Sequence, residues 1–140
     1  MERKPYFTEI NGEKVIFLDY SNITTDEITI FNQAIKDFLF NSKECKEGKM
    51  FFLADSSGLK YTLKTIRDFT SLSKVTGKYS LATAIYGMTL EMKTLYNAAL
   101  ALAGRNKEQI QIFETREQAI EWLSKRIIDE REKRRKLSED

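Results

Sequence analysis

Met50-Phe-Phe-Leu-Ala54 is apolar at every position, with Gly48-Lys49 before it and Asp55-Ser56-Ser57-Gly58 after it. A strand with one face in water alternates apolar and polar side chains, so a short unbroken run of this kind needs cover on both faces. That requirement selects a sheet held between helices, and the flanking sequence must supply both the helices and the neighbouring strands.

It does. Residues 6–10 and 13–20 are β-rich runs joined by Asn11-Gly12, a dipeptide that accepts the positive φ angles of a tight hairpin. Thr24 and Glu27 have capping-box spacing ahead of Ile28, Phe31, Ala34, Ile35, Phe38 and Leu39, which share one helical face. After the apolar run, Leu59, Leu63, Ile66 and Phe69 predict a second helix beginning at Leu59 and stopping at Gly77. Residues 79–86 read as a strand. Thr89 caps a third helix expected to bury Leu90, Leu95, Ala99 and Leu102, with Gly104 as its end. Residues 110–113 form a last strand, and Thr115 and Gln118 repeat the capping-box spacing before Ala119, Ile120, Trp122, Leu123 and Ile127. The expected fold is therefore α/β, in the order β-β-α-β-α-β-α-β-α, with a five-stranded mixed sheet and about four helices.

With 140 residues, 41% of them hydrophobic, the chain fits one domain, its core spanning about residues 6–127. Residues 129–140 are charged, with i,i+4 spacings such as Asp129 to Lys133 and Glu130 to Arg134, and read as a frayed extension of the last helix. A net charge of +2 supplies no global field for nucleic acid. The chain has no histidine, which removes imidazole triads and the commonest metal ligand, and neither a metal nor another cofactor is expected. Cys45 lies in the polar stretch 41–48 without a disulfide mate and reads as a surface thiol in a reducing compartment. Neither a signal-peptide pattern nor an apolar run long enough for a transmembrane segment occurs, so a soluble, cytoplasmic protein is expected.

Ser56 and Ser57 fall where the strand gives way to the predicted helix, beside backbone N–H groups that no earlier turn can satisfy. That place suits a phosphate, bound or covalent, and equally an ordinary helix cap. Ser57 and Lys60 have Ser-x-x-Lys spacing, which leaves a serine–lysine nucleophile open on spacing alone, although a lysine exposed at a helix start is expected to stay protonated. Lys60, Lys64, Arg67 and Lys74 fall within about 80° of one another on the second helix, with Ser71 between them. This basic stripe is either a solvated face or a dock for acidic groups. Most of the nine Phe and six Tyr read as core, and sequence does not separate a filled core from a lined apolar pocket. Glu91, Glu114, Glu117 and Glu121 have no metal-site or acid–base spacing.

The element order, the segment Asp55-Ser56-Ser57-Gly58-Leu59 and the ending Phe113-Glu-Thr-Arg-Glu-Gln-Ala-Ile-Glu-Trp-Leu123 together resemble the STAS superfamily over about residues 6–127. That superfamily includes bacterial anti-sigma-factor antagonists, and the SpoIIAA-like branch, described as related to a lipid-binding fold, is the most similar. The resemblance implies phosphorylation of Ser56 by a partner kinase, which breaks a protein complex. Three departures point to the broader STAS-like branch: Asp55 follows the strand directly, Lys60 stands where antagonists carry a glycine, and the third helix is long. The expectation is a non-enzymatic regulatory or binding domain of bacterial type. Its partner is a protein (a regulator or kinase) or a small ligand, contacted through Asp55, Ser56, Ser57, Gly58, Lys60, Lys64 and Arg67. A carrier of an apolar, lipid-like molecule is the alternative, and a homodimer is compatible with either.

Overall fold

The computed structural model describes residues 3–60, 62–106 and 108–139. In chain order the elements are β1 (Tyr6–Ile10), β2 (Glu13–Asp19), α1 (Thr25–Asn41), α2 (Lys43–Glu47), β3 (Met50–Asp55), α3 (Leu63–Thr76), β4 (Ser80–Tyr86), α4 (Leu90–Leu102), β5 (Ile110–Phe113) and α5 (Arg116–Glu139). The five strands form one mixed sheet in the order β1-β2-β3-β4-β5. β1 is antiparallel to β2, and β2 through β5 are parallel. The expected α/β layout holds, with α2 added.

Asn11 and Gly12 both have positive φ, 50° and 76°, as a two-residue hairpin turn requires. Each later strand is laid beside its predecessor in the same direction. Right-handed crossovers in one direction deposit their helices on one side of the sheet. Accordingly α1, α3 and α4 bury Phe31, Phe69, Tyr96 and Leu100 with Phe52 and Ala54 of β3 in one cluster. α5 returns to the opposite side, where Ala119, Leu123 and Ile127 meet Phe51 and Leu53. The double cover explains why β3 is apolar at consecutive positions.

The expected caps form at Thr24, Thr89 and Thr115. Glu27 N–H donates to Thr24 Oγ1 (3.3 Å), Met92 N–H to Thr89 Oγ1 (3.3 Å) and Gln118 N–H to Thr115 Oγ1 (3.2 Å). These side chains satisfy donors that the first helical turn leaves without partners.

Four local expectations are corrected. The second helix starts at Leu63, not Leu59. Thr62 caps it, with Thr65 N–H donating to Thr62 Oγ1 (3.2 Å) and Thr62 N–H to Thr65 Oγ1 (2.7 Å). Leu59 lies before the helix and is buried, while Leu63 is 77% exposed. The inward stripe is Thr65, Phe69, Leu72 and Thr76, spaced for one helical face, and its two threonines disguise it as a polar one. On α4 the buried residues are Tyr96, Ala99 and Leu100, whereas Leu90, Leu95 and Leu102 are exposed. Cys45 belongs to the short helix α2 and is 4% exposed, packed in the core, where burial raises its thiol pKa. The charged C-terminal stretch extends the last helix, as expected, and runs to Glu139, with Arg131 and Arg134 both reaching Glu13 beside the hairpin turn at 3.4 Å.

Candidate recognition surface

The carboxyl ends of the parallel strands are where open α/β sheets commonly bind ligands, in the crevice left where the strand order reverses. Here the order does not reverse, and the loops close on one another. Tyr20 N–H donates to Asp55 O (2.8 Å), Asn22 N–H to Ser57 O (2.8 Å) and Ser56 N–H to Tyr86 O (2.9 Å), which prolongs the sheet ladder into the loops. Asp55 Oδ1 accepts from Ser57 N–H (2.9 Å) in a local turn. The Tyr86 hydroxyl lies near the Asp55 carboxylate, and burial first, then that neighbouring charge, push the Tyr86 pKa up to about 12. Asp19, in register with Asp55, is held by Arg3 at 3.6 Å.

These bonds decide the fate of the serine segment. Ser56 is 4% exposed, and its residues lie ahead of α3 instead of at its first turn. The N–H groups of Ser56 and Ser57 are already engaged by Tyr86 and Asp55. The expected accessible hydroxyls beside open helix donors are therefore corrected: Ser56 is interior and Ser57 half-buried against Gly87, where a Cβ would collide with Ser57. Gly58, at φ 71°, serves the turn and a close approach to Asn22.

The basic stripe is also divided. Lys60 lies in the loop, outside α3. Lys64 faces α1, donating to Thr29 Oγ1 (3.0 Å) and pairing with Asp68 (3.7 Å). Arg67 and Lys74 remain exposed with Ser71 between them, and all three border a groove against α4.

That groove is the feature the sequence reading missed. It has a volume of about 490 Å³ and an apolar floor and far wall made by Ile66 and by Leu95, Ala98, Ala99 and Leu102. Leu95 is 48% and Leu102 83% exposed. The signal for it lay in α4 itself, which carries two overlapping apolar stripes: 96, 99, 100 faces the sheet, and 95, 98, 102 faces out.

Beneath the same helices lies an interior cavity of about 30 Å³, bordered by the side chains of Ser56, Ser73, Thr76, Thr83 and Tyr96 among apolar ones. It has room for about one water molecule and is too small for a lipid chain. Complete burial pushes the Tyr96 pKa up to about 12. Arg105 closes the end of α3, its Nη1 donating to Ser73 O (3.2 Å), and burial lowers its pKa. Among the described residues no three carboxylate or thiol groups converge, so no residue set is offered for a metal. Nor is any helix among them long and apolar enough to cross a membrane.

Comparison with family models, with curated proteins and with solved structures gave no match.

Proposed function

We propose that this chain is a non-enzymatic, STAS-like binding domain of a regulatory kind that recognises its partner through the outer face of α3 and α4. The observation that carries the reading is the apolar groove between those helices, with Arg67 and Lys74 on its rim. Exposed leucines on a soluble face cost free energy unless something covers them, at roughly 25 cal/mol per Å². Clustered ones beside a concavity are a usual mark of an interaction site. The lack of histidine and the burial of Ser56 speak for binding over catalysis. The free, buried Cys45 suits a cytoplasmic setting. Phosphorylation of Ser56 is no part of this reading, because its hydroxyl is interior.

Ala98→Trp fills the groove without touching the sheet-facing stripe. Affinity capture from source cells should retain a partner on the unmodified chain and lose it on this variant, with both melting at the same temperature. Identical retention by both would overturn the reading. A second reading, a small apolar ligand in the groove, is favoured by its apolar floor and far wall. Native mass spectrometry of freshly purified protein would then show an added mass that Ala98→Trp removes.

A further inference from the structure

The groove has two properties that, taken with the recognition reading on which they rest, name the chemistry of its occupant. The first is its relief. Ala98 and Ala99 lie between Leu95 and Leu102 on α4, opposite Ile66 and Thr70 of α3. Two methyl side chains between larger ones leave a trough, and the span from residue 95 to residue 102 is roughly 10 Å, about two helical turns. A rod bearing a row of side chains fills such a trough. A bilayer surface rests on the ridges and leaves the alanines uncovered.

The second property is charge. Arg67 and Lys74 stand seven residues apart on the outward face of α3, so their Cα atoms are separated by roughly 10 Å along the helix axis. Both are exposed, and among the described residues neither forms an ion pair. The α4 wall contributes only apolar side chains to the groove. The site is thus basic along one side and apolar along the floor and the other side.

From this we infer that the groove receives an amphipathic α-helix of a protein partner. Its apolar residues, spaced i, i+3 or i+4, i+7, lie over Ala98 between Ile66 and Leu95. Two of its carboxylates, seven residues apart, meet Arg67 and Lys74. Helix-in-groove recognition reads those apolar spacings, and the charge pair sets partner choice and direction. A second copy of this chain fits poorly. Groove-to-groove pairing brings the Arg67 and Lys74 pairs of both copies together.

The test uses the full chain and three probes, read by NMR of the backbone amides. The first is a designed peptide of about five turns with leucines at those spacings and glutamates seven apart. Its twin has lysines for the glutamates, and the third probe is vesicles of phosphatidylglycerol and phosphatidylcholine. The glutamate peptide should shift the amides of Ile66, Ala98, Ala99 and Leu102 saturably and bind at least about tenfold more tightly than its twin. The double variant Arg67→Glu, Lys74→Glu, altered only at exposed positions, should invert that preference. Equal binding of the twins, or a preference unchanged by the charge reversal, overturns the inference.

Vesicles moving the groove amides while the peptide does not would reassign the face to a membrane. Shifts that grow with protein concentration alone would reassign it to self-association. Either result sinks the helix inference and leaves the recognition reading standing. If no probe and no concentration change moves those amides, and Ala98→Trp loses nothing in capture, both fall.

Discussion

Gly58 and Asn22 are in close contact: a Cβ at position 58 would meet the Asn22 side chain, at 3.0 Å from Cγ and closer to Oδ1, so the Asn22 amide would have to swing aside. Gly58 also has φ 71° and Asn22 φ 54°, so both loops turn through the left-handed region where they touch. With Asn22 N–H bonded to Ser57 O, this contact holds the β2–α1 and β3–α3 loops together and closes the carboxyl edge of the sheet.

Gly58→Ala should therefore destabilise the fold by roughly 2–4 kcal/mol, from left-handed strain plus overpacking. Adding Asn22→Gly removes the collision and leaves only the backbone strain, about 1–2 kcal/mol. Denaturant unfolding of the single and double variants measures the difference, and additive effects would show that the two residues do not touch.

Ser56→Asp should behave as a core defect and not as a phosphorylation mimic. Ser56 is buried, and a carboxylate there has to be desolvated, at a cost on the order of 3 kcal/mol or more. A melting temperature lowered by many degrees is expected, while Ser56→Ala stays near the parent. A Ser56→Asp chain as stable as the parent would show that the hydroxyl reaches solvent.

Tyr96 makes stability depend on alkaline pH. Its pKa is raised from 10.0 in the unfolded chain to about 12 in the fold, chiefly by burial. Below pH 10 both states hold the proton and the full stability is present. Above it the unfolded chain releases the proton first, so stability falls between about pH 10 and 12, by roughly 2–3 kcal/mol from this residue. Tyr96→Phe loses the hydroxyl's hydrogen bond at every pH but should show a flatter decline over that window. Parallel pH curves for the two proteins would remove Tyr96 as the cause.

The orientation of α4 predicts opposite outcomes for neighbouring leucines. Leu100 is buried, so Leu100→Ala should cost about 2–5 kcal/mol. Leu102 is exposed, and Leu102→Gln should change stability by less than about 0.5 kcal/mol while weakening whatever docks in the groove. Urea unfolding midpoints distinguish them, and a large loss from Leu102→Gln would turn the helix over.

Much of the architecture was legible because its signals are local. The Asn11-Gly12 turn, the caps at Thr24, Thr89 and Thr115 and the apolar run of β3 each depend on residues a few positions apart, and each appears in the fold as expected. Helix faces were less legible where the inward stripe is polar. Thr65 and Thr76 of α3 are buried, and Thr65 Oγ1 is satisfied by donating to Thr62 O (2.9 Å). Hydrophobic periodicity passed over them in favour of Leu63, which is exposed.

By itself, then, the sequence determined the order and kind of the elements apart from α2, and the double cover of the sheet, since hydrogen-bond caps, turn dihedrals and apolar runs are properties of short segments. Tertiary structure alone decided which side of α4 meets the sheet, that Cys45 and Ser56 lie inside, and that Arg67 and Lys74 border an apolar trough while Lys64 turns to Thr29. Those outcomes depend on packing between elements distant in the chain. Two apolar stripes on one helix are equivalent until a neighbouring helix and a sheet cover one of them.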